Sequence, residues 1–267
     1  MQTASVSVIR QRLASGGPSA IATLVPENPS GASPAEAIEA DAYESIGAGR
    51  PGAAFLALRE ASLAWRDAAA EADADECDAA AVALFQSAFP PHRDDYDGWR
   101  DHADWLIARL ELERLTIEAR AELRPGPTLD ARLDVEERRH RWFCRMLAAR
   151  NAGLVTPLDR FCAEARLDAR DLDWLAALYT TSGDHAVWRV AARLPGEDPP
   201  RLTAGLLATC LAGGPSDVGA TLARLAPTRA LHTLGAITVQ APWPEAPLGL
   251  ARVSLPESVA SLLDGRA

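Results

Sequence analysis

Residues 230–255 read Ala-Leu-His-Thr-Leu-Gly-Ala-Ile-Thr-Val-Gln-Ala-Pro-Trp-Pro-Glu-Ala-Pro-Leu-Gly-Leu-Ala-Arg-Val-Ser-Leu. The stretch changes period. Ile237-Thr238-Val239 is β-branched and alternating, and Leu248 to Leu255 alternates again. Between them, Pro242-Trp243-Pro244-Glu245-Ala246-Pro247 is too proline-rich to continue either strand. Two short alternating segments around a stiff tip predict an antiparallel hairpin.

Working upstream, the pattern is helical. Thr156-Pro157-Leu158-Asp159 caps a helix to about Arg166, Asp168 opens one from Ala169 to Thr180, and Ser182 one from Gly183 to about Leu194. Thr203 to Ala212 is compact and apolar, Ser216 caps a helix to Leu225, and Pro256 begins a closing helix. Short helices followed by a hairpin with a proline-rich tip outline a winged-helix domain over 154–267. Further upstream, Trp99–Leu123 and Leu129–Asn151 carry apolar residues spaced by threes and fours. Arg124-Pro-Gly-Pro127 separates them, and such a short connection predicts an antiparallel helical hairpin over 91–153. The helix at 99–123 carries two apolar stripes, which implies burial on more than one side.

Residues 1–90 read as an acidic, Ala/Pro-rich region that is helical or partly irregular. Gly, Pro and Ser crowd 14–35, a linker composition. Ser33-Pro34-Ala35-Glu36 has the form of a capping box. Helices follow to about Gly47, from Ala53 to Ala70, and from Asp75 to Phe89, where Pro90-Pro91 stops them. The fold class expected is mainly α, an N-terminal helical region followed by a winged helix with one small β-hairpin.

The chain has 267 residues, 48% of them hydrophobic, and a formal net charge of −10. Every basic residue is arginine, and twelve acids against five arginines concentrate the negative charge in residues 1–90. An acidic chain repels phosphate backbones, which weighs against nucleic acid. Cys77, Cys144, Cys162 and Cys210 are scattered and form no CxxC, a pattern of buried reduced thiols. The sequence shows no signal-peptide core and no membrane-spanning run, so a cytoplasmic location is expected.

The chemical motifs reduce to structural ones. Gly47-Ala-Gly49-Arg-Pro-Gly52 fits GxGxxG, but a helix precedes it and Pro51 lies inside it, so a helix-breaking turn is the better reading. Asp94-Asp-Tyr-Asp-Gly98 resembles a calcium loop, yet the register puts Arg93 at the first ligand position and Asp104 at the twelfth. A solvated turn is expected there. His92, His102, His140, His185 and His232 form no HExxH or HxH. His140 and Cys144 lie one turn apart, two ligands where zinc needs three or four. No cofactor, metal or catalytic residue is expected.

Residues 154–265 resemble the winged-helix region that precedes the ATPase core in a family of bacterial AAA+ ATPases, some of them linked to contractile injection systems. The matching text is Leu154-x-x-Pro157-Leu158-Asp159-Arg160-Phe161, then Leu172-x-x-Leu175-Ala176-Ala177-Leu178-Tyr179 with Asp184 after it. Next come Arg201-Leu202-Thr203-Ala204-Gly205-Leu206-Leu207, where the family tends to read Arg-Pro-Thr-Val-Gly-Leu, and Arg229, Leu231, Leu234 and Gly235. Pro247-Leu248 and Val253-x-Leu255 complete it. The resemblance implies a winged helix and an adaptor role beside an AAA+ core. It does not carry over ATP hydrolysis: without lysine there is no GxxxxGK[ST], and an ATPase core, if present, would lie beyond Ala267.

The function expected is a non-catalytic adaptor region that docks partner or substrate proteins, with the AAA+ core itself among the partners. The candidate contact is the stiff wing tip, Pro242, Trp243, Pro244 and Glu245; Trp243 either presents itself there or folds back onto the sheet as core. Self-association through the twin-striped helix is a further route. The alternative is a winged-helix DNA-binding regulator, with Arg138, Arg139, Arg141 and Arg201 as contacts. The apolar Thr203–Ala212 helix, assigned to the recognition position, argues against it.

Overall fold

A computed structural model of the chain describes residues 2–27, 32–93, 95–194 and 202–264. It is mainly helical and divides into two compact units. The first comprises 1–92 and 136–152, the second 93–135 and 153–267. The division therefore runs through the 91–153 segment that the sequence presents as one hairpin. Its two long helices are there, but most of the second belongs to the first unit.

The first unit opens with β1 (Gln2–Ala4), α1 (Val6–Gly16) and β2 (Leu24–Pro26). The strands pair in parallel, Thr3 opposite Val25, joined through α1. This corrects the all-α expectation for the N-terminal part, and β2 lies within the 14–35 stretch read as linker or irregular surface. Val6, Ile9 and Leu13 recur at helical spacing and are buried, which is why this short segment folds into the core. Three helices follow, α2 (Pro34–Gly47), α3 (Pro51–Asp67) and α4 (Glu71–Ala88). The Ser33 side chain accepts from the Glu36 backbone N–H while Glu36 accepts from that of Ser33, the capping box expected. The core joins Ile9 and Leu13 to Tyr43, Leu58, Cys77 and Leu84.

The second unit holds α5 (Asp95–Ala121) and the start of α6 (Leu129–Asn151), the rest of α6 completing the first unit. It continues with α7 (Pro157–Glu164), α8 (Ala169–Gly183), α9 (His185–Ala191), α10 (Ala204–Leu211), α11 (Val218–Leu222) and α12 (Ala230–Thr233). The strands β3 (Thr238–Gln240) and β4 (Arg252–Ser254) pair antiparallel, and α13 (Glu257–Leu263) closes the element order. Side-chain caps fall where the sequence puts them at Thr156 and Asp168; Thr203 also caps α10, whereas no side-chain cap precedes α11, so the cap expected at Ser216 is not formed. Ser182 is different: α8 runs on to Gly183, Ser182 bonds back to the carbonyls of Leu178 and Tyr179, and Asp184 caps α9. α5 packs on α8, α9 and α10. His102 and Thr180 are joined at 2.8 Å, and Arg109 donates to the Thr209 carbonyl at 2.9 Å. Because the Thr180 hydroxyl gives its proton to the Ala176 carbonyl, His102 Nδ1 must be the donor in the first of these.

Candidate functional site

An antiparallel strand pair lies where the sequence places the hairpin. Val239 faces Val253 across the β3–β4 pair, and the tip closes with Ala246 N donating to the Trp243 carbonyl at 3.0 Å. Pro242, Trp243, Pro244 and Glu245 are all exposed. Trp243 keeps 53% of its surface in solvent, so it is not core. Leu250, on the return side of the loop, is also half-exposed. The loop therefore presents apolar surface on a backbone held by prolines and a turn hydrogen bond.

Of the arginines of the DNA reading, three lie on α6. Arg138, Arg139 and Arg141 belong to the first unit, Arg141 beside Glu137 at 3.4 Å. Arg201 lies outside the described residues. The Thr203–Ala212 helix, assigned to the recognition position, is interior: Ala204, Leu207, Ala208, Cys210 and Leu211 of α10 are buried. A Cβ at Gly205 would come within 2.9 Å of the Gly249 carbonyl oxygen, so α10 sits against the chain that leads into β4.

The glycine-rich GxGxxG segment is a turn between helices. α2 ends at Gly47, Gly49 adopts φ +73°, and α3 starts at Pro51. The first-turn amides of α3 are taken by the chain's own anion: Glu137 of α6 accepts from Gly52 N at 3.2 Å and from Ala53 N at 3.1 Å. A carboxylate is thus fixed where a phosphate would have to sit. Gly52 allows that approach, since a Cβ there would lie 2.7 Å from the His140 Cβ and 3.1 Å from the Arg141 backbone nitrogen. Overpacking of this kind costs about 1–3 kcal/mol, more than the up to about 1 kcal/mol a helix gains from Gly→Ala. Gly52→Ala is therefore expected to destabilise the protein, whereas Gly47→Ala, with open space at its Cβ, is not. Urea unfolding of the two variants separates the cases, and equal midpoints would refute the close-approach argument.

Of the calcium-loop residues, Asp94 lies outside the described ones, and Asp97 Oδ2 accepts from Arg93 N at 3.4 Å. His140 is half-buried, and burial holds its pKa below the ordinary histidine value. Cys144, one turn on, is fully buried, and no group of three or more His, Cys, Asp or Glu among the described residues could hold a metal. Burial pushes the thiols of Cys77, Cys144 and Cys210 up to about 12, away from thiolate chemistry. No described helix is long and apolar enough to cross a membrane.

Two features escaped the sequence. In the first unit, Glu39 is fully buried and accepts from Arg10 Nε at 2.7 Å and Nη2 at 2.9 Å, from Trp65 Nε1 at 3.0 Å and from the Tyr43 hydroxyl. Arg10, 2% exposed, also reaches Asp73 at 2.8 Å and Glu76 at 3.3 Å. Burial pulls against the Arg10 charge, but the hydrogen bonds to Glu39 and Asp73 outweigh it and raise its pKa. In the second unit, α5, α8, α9 and α13 surround a cavity of about 780 Å³. Trp99 and Tyr179 line one side with ring centroids 4.2 Å apart, and the Tyr179 hydroxyl is held by Asp264. His185 and Arg189 of α9 also line it. These residues come from segments up to 165 positions apart, so no local pattern could have revealed the cavity. Comparison with protein-family models, curated proteins and solved structures yields no match.

Proposed function

We propose that the chain is a non-catalytic, protein-docking adaptor region of the kind that accompanies an AAA+ ATPase, and that its second unit is a winged helix with the wing tip as contact. The observation that carries this reading is Trp243, more than half exposed on a loop stiffened by Pro242, Pro244 and Pro247. A pre-stiffened loop loses little entropy on docking, and tryptophan is the side chain most enriched among interface hot spots. The order of elements supports the winged-helix assignment. Thr203 bridges antiparallel to Arg252, with Ala204 N donating to the Ala251 carbonyl at 2.8 Å, so a one-residue edge precedes α10 and joins the β3–β4 pair.

The DNA-binding alternative draws less support. In a winged helix of this order the helix before the hairpin would face the groove, here the 218–233 segment rather than α10. Its Arg224 is turned back onto Asp168 at 2.7 Å and Asp171 at 3.6 Å. Few cations remain there to meet phosphates.

The test compares the full chain with its Trp243→Ala variant in pull-downs from native cell extract. Loss of specific partners is expected, with stability changed by no more than about 0.5 kcal/mol, as for an exposed position. Unchanged partners would remove the wing as the contact. Salt-sensitive shifting of duplex DNA by the full chain would favour the regulator.

A further inference from the structure

The cavity of the second unit carries an inference separate from the wing. Its volume, about 780 Å³, lies within the range of small-molecule pockets, roughly 300–1,000 Å³. Its surface is chemically divided. One part is aromatic: Trp99 and Tyr179 are tilted 36° to each other, both half-buried, and the hydrogen bond to Asp264 fixes the Tyr179 ring. Buried Ala103 and Thr180 also line it. The other part offers nitrogen donors. His185 and Arg189 stand one turn apart on α9, exposed, and neither has a hydrogen-bond or ion-pair partner among the described residues.

The acids of the lining are distributed differently. Asp184 is committed to the backbone N–H of Ala186 at 2.6 Å, and Asp264 to Tyr179. Asp104 of α5 is exposed and uncommitted among the described residues. Arg100 also lines the cavity but has a partner of its own, so among the described residues Asp104 and Arg189 are the uncommitted charges of the lining, and Asp104 limits how much negative charge the cavity accepts. A dianion would be repelled by Asp104, whereas a single carboxylate can be paired by Arg189 in a bidentate fork. A flat ring attached to that carboxylate would find the Trp99–Tyr179 wall.

We propose that this cavity is a binding site for a small aromatic monocarboxylate, with Arg189 and His185 holding the carboxylate and Trp99 and Tyr179 the ring.

The test is isothermal titration of the full chain with three probes that share a phenyl ring: phenylacetate, neutral 2-phenylethanol and phenyl phosphate. Phenylacetate is expected to bind with a dissociation constant of about 1 mM or tighter, and Arg189→Ala to weaken it about tenfold or more, the usual loss of a charge-assisted hydrogen bond. 2-Phenylethanol is expected to bind at least about tenfold more weakly than phenylacetate. Arg189 is exposed, so its removal leaves the fold intact, which an unchanged melting temperature verifies; Arg189→Lys should recover part of the affinity. Trp99→Phe reports the ring side, and Trp243→Ala should leave binding unchanged, so failure here and failure of the docking wing are told apart. Tighter binding of phenyl phosphate would overturn the monocarboxylate assignment. Absence of binding by every probe, or affinity for phenylacetate indifferent to both Arg189→Ala and Trp99→Phe, would overturn the site.

Discussion

Replacing Glu39 with alanine is expected to lower the unfolding free energy by about 3–5 kcal/mol, a large share of what holds a domain together. The reason is what remains behind. Arg10 stays buried with its two hydrogen bonds to Glu39 gone, while Tyr43 and Trp65 lose their acceptor. Asp73 and Glu76 still reach Arg10, but both are about half exposed and cannot replace a carboxylate sealed from water. Glu39→Gln keeps the shape and one acceptor oxygen, so a smaller loss is expected. The double change Arg10→Met with Glu39→Met removes both charges and should recover part of the stability, since well-packed apolar replacements of buried pairs often match them. Urea unfolding with an unchanged m-value measures all four proteins. A loss below about 1 kcal/mol for Glu39→Ala would mean that Asp73 and Glu76 suffice to hold Arg10.

A fragment starting at residue 154, where the sequence places the start of its last domain, is expected not to fold. The second unit is built around α5, which that fragment lacks. Trp105, Leu106 and Leu110 of α5 are at most 2% exposed, and α5 also supplies the His102–Thr180 and Arg109–Thr209 hydrogen bonds. Losing three such side chains removes about 5–9 kcal/mol of burial, comparable with the whole stability of a small domain. A fragment starting at Arg93 keeps α5 and should retain cooperative unfolding. Amide proton dispersion in NMR spectra distinguishes the two, and a well-dispersed spectrum from 154–267 would sink the argument.

These cases show what was legible in the sequence. Caps are local, so Ser33, Thr156 and Asp168 could be read from a few residues each, and α6 spans the 129–151 range that its pattern predicts. Ser182 misled because a serine near a helix end bonds as readily to carbonyls behind it as to amides ahead. The α1 stripe of Val6, Ile9 and Leu13 was present, but three apolar residues beside a Gly/Pro/Ser-rich stretch look like a tail until β1 and β2 pair across it. The Arg10–Glu39 contact joins residues 29 apart, and each alone looks like an ordinary surface charge. Of the candidate site, the stiff loop was readable because Pro242, Pro244 and Pro247 crowd into six residues; whether Trp243 turns in or out depends on packing that no local pattern encodes.

The division of the chain has a consequence for biosynthesis. The first unit needs residues 136–152 for completion, and those leave the ribosome only after 93–135 of the second unit. At about 5–20 residues per second, that interval lasts a few seconds. Through it, the nascent N-terminal helices lack Glu137 on the first-turn amides of α3 and the α6 backbone that Gly52 is shaped to admit. The residues of neither unit are all synthesised before those of the other have begun, so the order of synthesis interleaves the two units.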